Sequence, residues 1–178
     1  MSVVKIQGKE FEVFLPEEKI KSRIKELASD IKALEFENPP LFICVLNGAF
    51  RFASDLFSYM EFPVEIEFIK LSSYRNMQST GDVKLHGTFG INASGKDVII
   101  LEDIVDTGNT LEYLIPLVQN ANPKSVRTAA LLFKPDAYMG NHTVDIRGFE
   151  IPNDFVVGYG LDYNGLGRQL NSIYKHNK

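Results

Sequence analysis

Residues 97–111 read Asp-Val-Ile-Ile-Leu-Glu-Asp-Ile-Val-Asp-Thr-Gly-Asn-Thr-Leu. Residues 98–101 are a continuous, mostly β-branched apolar run, the pattern of a strand buried on both faces of a parallel sheet. Three carboxylates, Glu102, Asp103 and Asp106, follow at once, and a buried strand does not ordinarily end in a knot of acids. Thr107, Gly108, Asn109 and Thr110 then supply small residues and donor groups, and an apolar helical pattern starts at Leu111. Gly108 lets the backbone turn sharply and approach a ligand. Unused N–H groups at a helix start, beside threonine hydroxyls, make an anion site. One loop therefore offers donors for a phosphate next to acids suited to sugar hydroxyls, a metal or a proton. Any one of Asp103, Asp106 and Thr107 would also serve as an ordinary helix N-cap, but a cap needs one such residue, not the whole run.

Working outward, the 178 residues suggest one domain with a real core, and 44% hydrophobic with 24% charged residues is ordinary for a globular protein. The net charge of −4 disfavours a nucleic-acid surface. The lone cysteine, Cys44, lies in an apolar run and excludes an internal disulfide framework, which fits a reducing, cytoplasmic setting. No secretory pattern is evident at the N-terminus, and no apolar run approaches the ~20 residues that cross a membrane.

Upstream, residues 1–15 alternate loosely and predict a strand or hairpin around Gly8 and Lys9. Pro16, Glu17 and Glu18 look like a first helical turn, and Ile20, Ile24, Leu27, Ile31 and Leu34 carry the helix to about Phe36, before Asn38-Pro39-Pro40. Residues 41–46 are a second buried-strand run, ending in Asn47-Gly48-Ala49-Phe50 with a helix to about Tyr59. A third strand spans residues 64–71. These βα units predict an α/β fold: a doubly wound, mainly parallel sheet flanked by helices. In such sheets ligands sit at the carboxyl ends of strands, where both loops lie.

Residues 72–88 are polar and contain Gly81 and Gly87. They read equally as a lid with Ser73 and Tyr74 as contact groups or as a plain surface hairpin. Gly90, Gly95 and Lys96 match the spacing of a nucleotide-binding P-loop, but Asp97 replaces its Ser or Thr and a strand follows instead of a helix, so the stretch is read as a turn. After residue 111 comes a helix with Pro116 inside it, where a kink or break is expected. A strand over 126–133 ends at Lys134, which alone reads as a solvated strand-end lysine or as a ligand donor. Residues 137–153 read as irregular, and 155–157 as the last strand before a Gly-rich tail that contains Asp162 and Arg168. His86, His142 and His176 are scattered, so zinc is not expected, whereas clustered acids beside phosphate donors suit Mg²⁺.

Leu101-Glu-Asp-Ile-Val-Asp-Thr-Gly-Asn-Thr110 resembles the phosphoribosyl-pyrophosphate (PRPP) motif of the type I phosphoribosyltransferases. Four further stretches resemble the hypoxanthine-guanine branch of that family. They are Val45-Leu-Asn-Gly-Ala-Phe50, Ser73-Tyr74 running to Ser79-Thr-Gly-Asp-Val-Lys84, Phe133-Lys-Pro-Asp136, and Phe155-Val-Val-Gly-Tyr-Gly-Leu-Asp162-Tyr-Asn continuing to Arg168. The match runs over roughly residues 41–174 in the family's order.

The resemblance implies purine salvage: a 6-oxopurine, hypoxanthine or guanine, displaces pyrophosphate from PRPP with Mg²⁺, giving IMP or GMP. It implies that Glu102 and Asp103 hold the ribose hydroxyls and, with Asp162, the Mg²⁺. Asp106 would be the general base at purine N7. Residues 106–110 (Asp106, Thr107, Gly108, Asn109, Thr110) would cradle the 5′-phosphate. Lys134 would donate to the 6-oxo group, Phe155 would stack on the base, and Val156 would meet it through the backbone. Asn47, Gly48 and Arg168 would take pyrophosphate, with a cis peptide at Leu46–Asn47, and Ser73 and Tyr74 would belong to the lid. The family often carries Lys or Arg where this chain has Asn47, and Lys where it has Asn109, so two positive contacts to PRPP are missing. The resemblance also implies one phosphoribosyltransferase domain over 1–178, with a core at about 36–150 and a small hood from about 1–15 and 151–178. A homodimer or homotetramer is implied as well, without nucleic acid or membrane. A xanthine-preferring sibling and a PRPP-sensing regulator on the same fold are the alternatives.

Overall fold

The computed structural model describes residues 3–73, 83–85 and 91–177. The chain opens with a hairpin, β1 (Val3–Ile6) pairing antiparallel with β2 (Lys9–Leu15). Gln7 and Gly8 between them both have positive φ, 49° and 79°, which suits the twist of a two-residue hairpin turn. α1 (Glu17–Lys32) follows Pro16 at its N-cap, with a buried stripe of Ile20, Ile24, Leu27, Ala28 and Ile31. It ends at Lys32 rather than near Phe36, because Glu35 adopts φ 50° and turns the chain out before the prolines are reached.

Next come β3 (Leu41–Leu46), α2 (Phe50–Ser58), β4 (Glu65–Ser73), β5 (Val83–Leu85), β6 (Asp97–Val105), α3 (Asn109–Gln119) and β7 (Ser125–Phe133). β8 (Ile146–Glu150), β9 (Val156–Val157) and β10 (Ile173–His176) complete the order. The large sheet runs β5-β4-β3-β6-β7-β8. β4, β3, β6, β7 and β8 are parallel, and β5 is antiparallel on β4. Residues of β3 alternate between two cores, as a strand buried on both faces must. Phe42 and Cys44 join α1 and α2 on one face, while Leu41, Ile43 and Val45 join α3 on the other. The fold is the expected doubly wound α/β sheet flanked by helices. A second sheet, β1-β2-β10-β9, is antiparallel and forms a hood from the two ends of the chain.

Three sequence expectations are corrected. Residues 137–153 are not all irregular: β8 pairs parallel with β7 at the sheet edge, and Gly148 packs there against the Leu131 carbonyl, where a Cβ would stand 2.4 Å away. Residues 155–157 are not the last strand, since β10 lies at the centre of the hood between β2 and β9. Of the kink or break expected at Pro116, the break does not occur, since α3 continues to Gln119. The segment 91–96 is a turn, as read, with Gly95 at φ 69°. Of the proposed lid, β4 carries Ser73 and pairs it with Val83 of β5, while Tyr74 and residues 75–82 and 86–88 lie outside the described residues. Among the described residues, no helix is long and apolar enough to cross a membrane.

Candidate active site

β6 is longer than the apolar run that announced it. It continues through Glu102 and Asp103 to Val105, so these two acids are strand residues and not loop residues. Glu102 is only 4% exposed and its Oε1 has no hydrogen-bond partner among the described residues. Burial first, then the charge of Asp103, pushes its carboxyl well above the ordinary range. Asp103 is half-buried, and burial pushes it up to about 6, against its own amide, that of Ile104 and the charge of Arg168. Burial thus raises both carboxyls, and a hydroxyl donor or a cation placed beside them would favour their charged forms.

Gly108 is the N-cap of α3 at φ 91°, and no side chain caps the helix. The run Asp103, Asp106, Thr107 is therefore not explained by capping. Among the described residues, none of the amides of Thr107, Gly108, Asn109 and Thr110 donates to a protein acceptor. These residues, with Glu102, line a cleft of about 100 Å³. A left-handed residue at the cap is what lets several consecutive N–H groups converge there.

Lys134 closes β7 and is buried, 6% exposed, so it is not a solvated strand-end lysine. Its Nζ lies 2.9 Å from Asp106 Oδ2, and its N–H donates to the Val105 carbonyl at 3.0 Å. The pair joins the ends of adjacent parallel strands β6 and β7 at the cleft.

The remaining expected residues lie in the β3–α2 loop, at β9 and in the C-terminal loop. The Leu46–Asn47 peptide is cis; Asn47 is exposed and Gly48 is buried. A Cβ at Gly48 would stand 1.7 Å from Asp103 Oδ2, so only glycine lets the β3–α2 loop touch the acid. A Cβ at Gly160 would stand 2.1 Å from the Gly48 carbonyl, so the C-terminal loop reaches the same place. In that loop Arg168 pairs with Asp162 at 2.6 Å and donates to the Gly160 carbonyl at 2.7 Å. Asp162 also accepts the Gly165 N–H at 2.7 Å. Phe155, 49% exposed, stands just before β9, its ring 6.3 Å from Phe11 and 5.6 Å from Tyr163, while Val156 is buried.

A family profile described as "Phosphoribosyl transferase domain" matches residues 12–164, most of the chain. The chain belongs to the phosphoribosyltransferase family. It is 41% identical to the hypoxanthine-guanine phosphoribosyltransferase of Homo sapiens over 171 residues, 90% of this chain and 78% of that one. Among solved structures, it is similar to a hypoxanthine-guanine phosphoribosyltransferase of Bacillus anthracis (TM-score 0.86, 38% identity, 92% of this chain and 97% of that one). It is likewise similar to the hypoxanthine phosphoribosyl transferase of Trypanosoma cruzi (TM-score 0.87, 34% identity, 98% of this chain and 95% of that one).

This phosphoribosyltransferase brings together Glu102, Asp103, Asp106, residues 107–110, Lys134, Gly48, Asp162 and Arg168. Ser73 lies at the end of β4, and Tyr74 is outside the described residues. Sequence reasoning missed a knot behind the phosphate loop. Tyr138 packs on Gly108, and Glu112 in the first turn of α3 accepts the Asn141 and His142 amides. Nothing in the sequence marked Tyr138, because Gly108, on which it packs, is distant in the chain.

Proposed function

We propose that this phosphoribosyltransferase transfers the 5-phosphoribosyl group of PRPP to hypoxanthine or guanine. The observation that carries this reading is the juxtaposition of the unpartnered amides of residues 107–110 with the buried Lys134 and its partner Asp106 on the rim. The first suits a sugar phosphate and the second a base edge. With the 5′-phosphate on those amides, Glu102 and Asp103 meet the ribose hydroxyls, and Glu102 Oε1 gains the donor it lacks. N9 of the purine attacks C1′, the C1′–O bond to pyrophosphate breaks, and Asp106 takes the proton from N7. Lys134 donates to the 6-oxo oxygen. Adenine presents an amino group there and would leave a buried ammonium facing a donor. Phe155 stacks on the ring, the Val156 backbone meets its edge, and Asn47, Gly48 and Arg168 receive the leaving pyrophosphate. Ser73, at the end of β4, is the proposed lid contact, and Tyr74 lies outside the described residues.

Among the described residues, no three His, Cys, Asp or Glu side chains form a cluster that could hold a metal alone. The donor set nevertheless fits Mg²⁺, which binds oxygen and completes its shell with phosphate and water. The unpartnered Glu102 Oε1 and Asp103 would hold it, together with Asp162 once its bond to Arg168 yields. When bound, the ion supplies positive charge against the departing pyrophosphate. The chain is also proposed to work as one domain with its hood, and as a homodimer or homotetramer. Ile66 and Phe68 share one face of β4, 41% and 45% exposed, which supports a partner there.

The test is formation of nucleoside monophosphate from PRPP, Mg²⁺ and a panel of guanine, hypoxanthine, xanthine and adenine. Turnover with the first two and none with adenine is expected. No turnover with any base removes the enzyme reading, and a marked preference for xanthine moves it to the sibling.

A further inference from the structure

The phosphate loop is held from behind by a segment with no assigned role. The Met139 N–H donates to the Thr107 carbonyl at 3.2 Å. The peptide that follows Thr107 is planar and trans, so fixing its carbonyl toward Met139 aims the Gly108 N–H the opposite way. The Tyr138 ring lies on Gly108 so closely that a Cβ there would meet Cε2 at 2.5 Å. The ring is fixed in turn: its hydroxyl donates to the His142 carbonyl, and Phe133 meets it edge-on with centroids 5.4 Å apart. Glu112 binds the far end of the segment to α3, accepting from the Asn141 amide and, at 3.3 Å, from the His142 amide. Gly140 is enclosed between them, 2.6 Å from Tyr138 Oη and 2.9 Å from Glu112 Oε1 if given a Cβ. The same segment begins at Lys134, whose carbonyl accepts the Tyr138 N–H at 3.1 Å.

We propose that Tyr138 is a positioning residue that fixes the peptide plane between Thr107 and Gly108 and so aims the Gly108 amide at the 5′-phosphate. The proposal rests on the phosphoribosyl-transfer reading for its ligand but not for its geometry. Tyr138 touches no substrate. It acts through Gly108, and its ring does the work, while the hydroxyl only anchors the ring. A rigid brace of this kind is what keeps an anion site organised before the anion arrives.

The experiment compares wild type, Tyr138→Phe, Tyr138→Leu and Tyr138→Ala. Calorimetric Kd for ribose 5-phosphate and steady-state KM and kcat with PRPP and hypoxanthine are measured, with thermal melting as a folding check. Losing one aimed donor to a charged phosphate corresponds to about tenfold weaker binding. Tyr138→Ala is expected to raise both the ribose 5-phosphate Kd and the PRPP KM by about that factor, with the hypoxanthine KM and kcat little changed. Tyr138→Phe is expected to stay near wild type. Tyr138→Leu, which fills the space without a flat ring, is expected to behave as Tyr138→Ala and replaces it if that variant does not fold. A Kd unchanged in Tyr138→Leu, or Tyr138→Phe as impaired as Tyr138→Leu, overturns the proposal. Wild type that binds ribose 5-phosphate but turns over no purine overturns the function above and leaves this test intact.

Discussion

Lys134 and Asp106 set the chemistry of the site at the scale of single residues. A lysine 6% exposed needs an anion, and Asp106, whose side chain is 43% exposed, supplies it from the rim. Asp106→Asn keeps an oxygen for Lys134 but loses the proton acceptor. It is expected to cut kcat by about 10²–10⁴-fold, with PRPP binding largely retained. Unchanged kcat in stopped assays removes Asp106 from the base role. Glu112 offers a pH test. Hydrogen bonds from Asn141 first, then His142, hold its carboxyl below the ordinary 4.5. A depressed carboxylate stabilises the fold above the unfolded value and loses that contribution as pH falls through the folded one. The knot behind the phosphate loop is therefore expected to be intact above 4.5 and to loosen only below it. The Asn141 amide resonance, followed by NMR, should titrate with a midpoint under 4.5, and a midpoint at or above that value contradicts the bond.

At the scale of elements, two loops from separate parts of the chain meet beside Asp103 at the ends of β3 and β6. Glycine permits the contacts: Gly48 against Asp103, and Gly160, at φ 100°, against Gly48. Gly160→Ala adds both a strained backbone and a clash with a carbonyl, at a cost of about 1–3 kcal/mol. For a chain of this length that is a drop of several degrees in Tm. A melting curve matching wild type would show that the two loops do not touch. The strands and helices around this junction were legible because their periodicity is local. Unbroken apolar runs marked β3 and β6, and a 3.6-residue stripe marked α1. β8 was not legible, since Arg147 and Gly148 break its pattern and its value comes from pairing with β7. β10 was not legible either, since Ile173 and Tyr174 gain meaning only from β2 at the other end of the chain. The extent of β6 was also misread: acids signal a loop locally, yet Glu102 pairs in register with Ala130.

Across the whole molecule, the motif residues named the cleft, but the pairings inside it are long-range facts. Lys134 with Asp106, and Tyr138 with Gly108, became visible only when β7 was laid beside β6. The exposed faces carry the remaining expectation. Ile66 and Phe68 lie in register with Phe42 and Cys44, on the α2 side of the sheet, and the core there does not cover them. Sedimentation is expected to show a dimer or tetramer, and Phe68→Glu to shift it toward monomer. A monomeric wild type at micromolar concentration contradicts the assembly. The central claim is that the turn after β6 is an anion site built from its own amides. Backbone NMR of the protein titrated with IMP, and separately with inosine, addresses it directly. The account expects the amide protons of Thr107, Gly108, Asn109 and Thr110 to move strongly with the phosphate-bearing ligand and not with the nucleoside. Amides that stay in place with IMP, or respond equally to inosine, contradict it.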